Sequence, residues 1–208
     1  MSEATELRRR AMLDYDEAMR TQFGVICGVD EAGRGPLAGD VYAAAVILGE
    51  NHGIEGLDDS KKLSDKRRDA LFDEIQKKAK AYCIAKATVE EIGKLNILHA
   101  AMLAMKRAVE GLNPAPDYVL VDGNRLPEIA IAGETVVKGD ATSASIAAAS
   151  ILAKVARDRY MLEQAKLYPG YGFENHMGYP TAAHYAALEA LGPCAIHRPG
   201  FRLEKKKK

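Results

Sequence analysis

Four acidic residues stand at comparable places along the chain, each at the end of an apolar run and close to a glycine: Asp30, Glu31, Asp122 and Asp140. We predict that these runs are strands, and the carboxyl ends of neighbouring strands in an α/β sheet form the rim where ligands bind. Three strands would then deliver four carboxylates to one crevice. Taken singly, each acid could instead form a turn or cap a helix, and Asp140 directly precedes an ATSAS segment that could begin one.

Clustered carboxylates repel one another unless a cation lies between them or some of them stay protonated. A set of oxygen ligands without an adjoining His or Cys set suits Mg²⁺ or Mn²⁺, which commonly bind substrate phosphates. Two such ions, about 4 Å apart, would activate a water and stabilise the leaving oxygen of a phosphodiester. The alternative is acid–base catalysis by a carboxyl pair, as in a glycosidase. With 6% aromatic residues and no Trp, the chain offers few sugar-stacking platforms for that reaction.

Three further features agree with phosphate chemistry. The GRGPLAG segment at 33–39 could bring backbone N–H groups close to a sugar-phosphate, although it could also be a plain tight turn. Lys61 and Lys62 in DSKKLS could contact phosphates, or could belong to a solvated basic face. Tyr179, between a glycine and a proline, could stack on a sugar or base, or could simply pack.

The elements that must position these residues alternate along the chain. We predict strands at 25–29, 41–48, 81–89, 117–123 and 134–140, the first two pairing as a hairpin. Helices are expected at 1–20, where a charged leading helix would pack weakly, after the capping residue Ser64, and over 181–191. Segment 90–112 predicts a short helical turn followed by a long helix, and the alanine-rich segment 141–168 predicts a helix buried against the sheet. This pattern indicates a mixed α/β sheet with helices on its faces.

Length and composition bound the class of protein. A chain of 208 residues suits a single catalytic domain, here 1–208, whose last residues, 199–208, form a basic tail that we expect to be disordered. The formal net charge is zero, so any nucleic-acid site must be local. No stretch approaches the roughly 18 apolar residues of a membrane span, and the charged start does not resemble a secretory signal. Three cysteines without CxxC spacing favour reduced thiols in a cytoplasmic protein.

Several segments resemble, in order, the signature blocks of the ribonuclease HII family, the type 2 ribonucleases H. They are GVDEAGRGPLAG, DSKKLS, DYVLVDG, KGDATSASIAAASILAKVARDRYM, and YGFENHMGYPTAAHYAAL with GPCAIHR. The resemblance spans about residues 24–198, and its first and fourth blocks are highly specific. It implies a ribonuclease H-like fold, with a central five-stranded mixed sheet flanked by helices and a C-terminal helical segment.

The resemblance also implies an endonuclease that cuts RNA paired to DNA, including a single ribonucleotide embedded in duplex DNA, and leaves 3′-hydroxyl and 5′-phosphate ends. The family's metal-binding catalytic acids match Asp30, Glu31, Asp122 and Asp140. Its glycine-arginine-glycine motif, which reads the ribonucleotide 2′-hydroxyl, matches Gly33, Arg34 and Gly35, and its junction-sensing tyrosine matches Tyr179. Asp158 is expected to be a structural partner of Arg157 or Arg159.

The function that follows is removal of ribonucleotides from DNA with Mg²⁺ or Mn²⁺ as cofactor, by a protein expected to be a monomer that acts away from membranes. Two alternatives stay open. The chain could be a different nuclease on the same fold that acts on DNA, or a hybrid-binding module without turnover.

Overall fold

The computed structural model describes residues 3–58, 60 and 63–204. Lys61, Lys62 and the lysines at 205–208 lie outside the described residues, so the predictions about them stay predictions. Strands lie at β1 Ile26–Ala32, β2 Val41–Ile47, β3 Ala81–Ala87, β4 Tyr118–Asp122 and β5 Gly133–Val136. Helices lie at α1 Glu3–Phe23, α2 Asp65–Lys78, α3 Val89–Glu110, α4 Ala144–Leu167, α5 Phe173–His176 and α6 Ala182–Leu191.

The five strands form one sheet in the order β3-β2-β1-β4-β5. Strand β1 pairs antiparallel with β2 and β2 antiparallel with β3, whereas β1–β4 and β4–β5 are parallel pairs. The predicted mixed five-stranded sheet is therefore confirmed. In the parallel pair, Val29 lies opposite Val121, so the next residues along the two strands, Asp30 and Asp122, are also neighbours.

Helices cover both faces of the sheet. Apolar side chains of alternate strand residues, such as Val29 on β1, pack with α3 in one core cluster. The other face, which includes Val46 on β2, packs with α2, α4 and Met12 of α1. Within the described residues, no helix is long and apolar enough to cross a membrane.

Helix α4 approaches β1 so closely that their backbones touch. A Cβ atom on Gly28 would lie 2.2 Å from the Ile146 nitrogen and 2.2 Å from the Ser145 carbonyl carbon. Ser143 caps this helix, its hydroxyl accepting from the Ile146 N–H at 3.2 Å. Because Ser143 holds the cap position, the alternative role of Asp140 as the helix cap is excluded.

Two expectations need correction. Helix α1 does not pack weakly, because Met12 and Met19 are buried and Asp16, also fully buried, accepts hydrogen bonds from both Ser143 and Ser145. The strand predicted at 134–140 ends at Val136, so it does not carry an acid at its end. The helical segments are closer to expectation: Ser64 caps α2, and α3 has a kink at Asn96 that separates its short and long parts.

Gly28→Ala is expected to destabilise the protein by about 3 kcal/mol or more, because the added methyl overlaps the α4 backbone, which cannot move without repacking the core. Gly49→Ala is the matched control, since its Cβ would meet only the flexible end of Lys80, at 3.2 Å. Thermal unfolding of the two variants should show a loss for Gly28→Ala of roughly 6–12 °C and little change for Gly49→Ala. Equal melting temperatures would contradict the close contact.

Candidate active site

The acids of β1 and β4 are brought together by strand pairing, but not in the way expected. Strand β1 continues through Asp30 and Glu31 to Ala32, so these two acids lie inside the strand rather than beyond its end. Asp122 is the last residue of β4, as predicted. The chain's own hydrogen-bonded register therefore places Asp30 and Asp122 on adjacent strands at the same level of the sheet.

Asp140 reaches the site by a different route. It lies in a 3₁₀ turn at Gly139–Ala141, which follows a left-handed residue, Lys138 (φ 58°). The backbone N–H of Gly139 donates to the Asp122 carboxylate at 2.6 Å, which fixes the turn against the end of β4. Asp140 itself is buried, with 8% of its surface exposed. The turn thus replaces the predicted strand end as the element that positions the fourth acid.

Asp30 is the most strongly perturbed acid of the site. Burial raises the pKa of its carboxyl well above the ordinary value, and the negative charges of Glu31 and Asp122 raise it further. The Glu31 backbone N–H, at 2.7 Å, and the Ser150 side chain donate to it and partly offset that rise. The Ser150 hydroxyl donates its single proton to Asp30, so its oxygen can only accept from Ser60. The Ser60 hydroxyl therefore donates to the Ser150 oxygen, at 2.7 Å.

Glu31 contacts a residue of the glycine-arginine-glycine segment. The Arg34 guanidinium donates to its carboxylate at 3.1 Å, and half of the arginine side chain is exposed. The exposed part of Arg34 therefore faces solvent beside the acids. This contact joins the predicted catalytic set to the predicted substrate-binding set.

The chemistry of the four side chains fits a hard divalent cation. All are carboxylates, and they come from β1, β4 and the turn after β5. The pKa of Asp30 is raised first by burial and then by the negative charges of Glu31 and Asp122, a repulsion that a cation would relieve. Within the described part of the chain, no three His, Cys, Asp or Glu side chains already converge as a preformed metal cage. Incomplete protein cages are usual for Mg²⁺, which keeps waters and takes substrate phosphates as further ligands.

Two of the predicted substrate-binding residues, Gly35 and Tyr179, also meet in the structure. A Cβ atom on Gly35 would lie 3.5 Å from the Tyr179 ring, and the Leu37 N–H donates to the Gly178 carbonyl at 2.8 Å. The Tyr179 side chain is 39% exposed and so presents its ring to solvent. The segment 33–40, which we call the GRG loop, and Tyr179 therefore form one surface next to the acids.

Two buried arginines, Arg157 and Arg198, support this surface. Arg157 donates to the carbonyls of Ala38 and Met177 at 3.1 Å, and Arg198 donates to carbonyls of the GRG loop. The expected pairing of Asp158 with Arg157 or Arg159 is wrong, since Asp158 accepts from Lys154 at 2.6 Å. An arginine whose partners are carbonyl groups leaves no charge pattern in the sequence, so no signal could have revealed these roles.

The sheet order and the carboxylates on β1, β4 and the turn after β5 define an enzyme of the ribonuclease H-like class. A family model described as ribonuclease HII matches residues 27–204. The chain belongs to the ribonuclease HII family, and is therefore a ribonuclease H, an endonuclease that acts on RNA–DNA hybrids.

Curated relatives are similar over most of their length. A ribonuclease HII of Marinomonas sp. is 61% identical over 189 residues, covering 90% of this chain and 95% of the relative. One from Burkholderia vietnamiensis is 60% identical over 177 residues, covering 85% and 82%. Among solved structures, the ribonuclease H2 from Pyrococcus horikoshii OT3 matches with a TM-score of 0.73 at 25% identity, covering 86% of this chain and 94% of that one. Bst-RNase HIII in complex with Mn²⁺ matches with a TM-score of 0.63 at 20% identity, covering 81% and 63%, which supports the fold.

Asp30→Asn is expected to stabilise the metal-free protein at pH 7.5, because it removes a buried charge that its neighbours repel. The Asp30 carboxyl has a higher pKa in the folded protein than in the unfolded chain. Its charge therefore costs no stability at a pH below the unfolded pKa, and the cost grows as pH rises through the folded pKa. Melting temperatures measured in EDTA should be higher for the variant by about 2–4 °C, the shift that roughly 1 kcal/mol produces in a domain of this size. The difference should shrink as pH is lowered.

Asp73→Asn, on the exposed face of α2, is the control for this measurement and should leave the melting temperature unchanged. Adding Mn²⁺ should raise the melting temperature of the wild type more than that of Asp30→Asn. A destabilised Asp30→Asn variant in EDTA would contradict the repulsion that we assign to the site.

Proposed function

We propose that this protein cleaves DNA duplexes at single embedded ribonucleotides, as well as longer RNA–DNA hybrids, by two-metal-ion hydrolysis that leaves 3′-hydroxyl and 5′-phosphate ends. The observation that carries the proposal is the placement of four carboxylates beside a glycine-arginine-glycine loop and an exposed tyrosine. This activity would remove ribonucleotides from DNA.

In this proposal Asp30, Glu31, Asp122 and Asp140 hold Mg²⁺ or Mn²⁺. Two such ions, when bound, would lower the pKa of an attacking water and stabilise the negative charge on the departing 3′-oxygen. The protein's own part is to hold the carboxylates in place: Gly139 N–H fixes Asp122, while Ser150 and the Glu31 N–H orient Asp30. No side chain needs to form a covalent intermediate.

Selectivity has to come from one functional group, because only the 2′-hydroxyl distinguishes the target nucleotide from its neighbours. We assign its recognition to Gly33, Arg34 and Gly35, with the Tyr179 ring stacking at the RNA–DNA junction. What supports the assignment is that the ring lies against Gly35 and that Arg34 contacts Glu31, so the reading and cutting groups adjoin. Lys61 and Lys62 are proposed to bind phosphates without regard to sequence.

The protein is also proposed to act as a monomer in the cytoplasm. Cys27, Cys83 and Cys194 are free thiols, which fits a reducing compartment.

The decisive experiment is cleavage of three end-labelled duplexes, an RNA–DNA hybrid, a DNA duplex with one ribonucleotide and an all-DNA duplex, in Mg²⁺, Mn²⁺ or EDTA. We expect metal-dependent cutting on the 5′ side of the ribonucleotide and an intact all-DNA control. Asp140→Asn should lose activity by at least about 100-fold, because it removes a metal ligand. Asp73→Asn, remote from the acids, should retain it.

Two results would favour the alternative functions. Cutting of the all-DNA duplex would indicate a DNA-directed nuclease on this fold. Tight hybrid binding without turnover in either metal, by a protein shown to be folded, would indicate a binding module.

Tyr179→Ala is expected to raise KM for the single-ribonucleotide duplex by about tenfold, because the loss of one base-stacking ring costs roughly 1–3 kcal/mol. Tyr82→Ala is the matched control: its exposure is 38% against 39% for Tyr179, but it lies on the edge strand β3. Steady-state kinetics on both substrates give the comparison. An unchanged KM for Tyr179→Ala would remove the tyrosine from the proposed function.

A further inference from the structure

The segment that follows α6 returns to the GRG loop and pairs with it. The Gly39 N–H donates to the Ile196 carbonyl at 2.8 Å, and the Arg198 N–H donates to the Leu37 carbonyl at 2.9 Å. Ala38 and His197 form the bridge pair between these two bonds. His197 and Arg198 are thus held at the back of the loop, outside the acid cluster, and both are buried.

The Arg198 guanidinium is enclosed by the GRG loop. It donates to five backbone carbonyls of that loop at 2.6–3.3 Å, those of Gly33, Arg34, Pro36, Gly39 and Asp40. Burial lowers its pKa to about 9, so the group stays charged at neutral pH. A planar cation with five donors can satisfy these carbonyls at once, which an ammonium group cannot. Arg198 therefore fixes the path of the loop that carries Gly33 to Gly35.

His197 supports Tyr179 through a second histidine. The Cys194 N–H donates to His197 Nδ1 at 2.8 Å, the two Nε2 atoms of His197 and His184 lie 3.0 Å apart, and His184 Nδ1 lies 3.0 Å from the Tyr179 carbonyl oxygen. We call this chain of hydrogen bonds the histidine relay. It connects the backbone of the C-terminal segment to the backbone of Tyr179.

The shortest contact of His197 Nδ1 assigns the protons of the histidine relay. The Cys194 N–H lies 2.8 Å from Nδ1, whereas the Cys194 Sγ and carbonyl oxygen lie at 3.2 and 3.3 Å. Because a backbone N–H can only donate, we assign Nδ1 as an acceptor and place the His197 proton on Nε2. That proton is donated to His184 Nε2, and His184 must then carry its proton on Nδ1, where it donates to the Tyr179 carbonyl. The arrangement requires both rings to be neutral, and burial lowers the pKa of His184 to about 4 and that of His197 below its ordinary value.

An apolar residue could fill the space of either ring but could not replace these bonds. Tyr179 also accepts from the Thr181 N–H at 2.8 Å and donates its own N–H to the His176 carbonyl at 2.8 Å. The backbone on both sides of the exposed ring is therefore anchored, and His184 is the link that joins this anchor to the segment holding the GRG loop.

We propose that the dipeptide His197–Arg198 is a positioning element that sets the distance between the 2′-hydroxyl-reading loop and the Tyr179 ring, and through it the selectivity for a lone ribonucleotide. Arg198 acts on the loop directly, and His197 acts on Tyr179 through His184. The inference rests on the proposed function, in which those two features contact the substrate.

Two substitutions of His184 separate its hydrogen bonds. His184→Asn places an amide near the position of Nδ1, so it retains the bond to Tyr179 and loses the link to His197. His184→Gln reaches toward His197 and loses the bond to Tyr179. If the relay positions the tyrosine, each variant should raise KM for the single-ribonucleotide duplex, because each breaks one bond of the chain between His197 and Tyr179. The rise should be about tenfold for His184→Gln and at least about threefold for His184→Asn, with kcat on a long hybrid within twofold for both. An unchanged KM for His184→Asn would remove His197 from the proposal.

A spectroscopic measurement tests the relay without activity. In ¹⁵N-histidine spectra of the wild type, His184 should show the Nδ1–H tautomer and His197 the Nε2–H tautomer, with a coupling between the two Nε2 nitrogens. Two Nε2–H tautomers, or no coupling, would overturn the relay.

The kinetics distinguish the failure of this inference from failure of the proposed function. If Tyr179→Ala raises KM but His184→Gln does not, the positioning role is wrong and the role of the tyrosine stands. If Tyr179→Ala has no effect, the proposed function fails in that part and this inference fails with it. If both His184 variants lose activity equally on both substrates as their melting temperatures fall, His184 is a structural residue only, which also overturns the proposal.

Arg198→Lys tests the other half of the dipeptide, because it retains the charge and loses the planar fork of donors. The folded variant should raise KM for the single-ribonucleotide duplex at least tenfold and affect the long hybrid less. Wild-type KM values on both substrates would remove Arg198 from the proposal.

Discussion

The contact between the backbones of α4 and β1 determines where most of the site residues lie. It is possible only because residue 28 is glycine, since any Cβ there would overlap Ile146. From this point the helix and the strand run side by side in the same direction. Two strand residues advance about 6.6 Å and four helix residues about 6 Å, so Asp30 lies level with Ser150, one turn beyond Ile146. Two turns further along the helix, Arg157 packs closely on Gly33. A Cβ atom on Gly33 would lie 2.0 Å from the Arg157 Nε.

This helix therefore supports both parts of the site. Its first turn is tied to Asp16 of α1, its second turn donates to Asp30 through Ser150, and Arg157, two turns further on, holds the GRG loop. Small residues dominate the first half of α4 because larger ones would push the helix away from the sheet. The alanine-rich composition is thus a packing requirement of the site as well as a helix-forming tendency.

The sequence predicted the sheet and its helices well, because both depend on local pattern: β-branched runs for the strands and a capping serine at residue 64 for a helix. It failed where long-range contacts decide. Asp140 was expected at a strand end, but the bond from Gly139 to Asp122 bends the chain into a 3₁₀ turn instead. Helix α1 was expected to pack weakly because charged residues are spread along it, yet three buried side chains on one face, those of Met12, Asp16 and Met19, suffice to anchor it.

The buried acids and the buried arginines of the site have opposite kinds of surroundings. Asp30 is left buried beside the negative charges of Glu31 and Asp122, which costs stability in the free protein and favours binding of a divalent cation. The buried cations Arg157 and Arg198 are surrounded by carbonyl oxygens, which satisfy their donors without neutralising charge. A contact to one hydroxyl group contributes only about 0.5–1.5 kcal/mol unless its partners are held in place before the substrate arrives. In the function that we propose, attachment of both the GRG loop and Tyr179 to the dipeptide His197–Arg198 would supply that order, because the loop is bonded to Arg198 and the tyrosine is linked to His197 through His184.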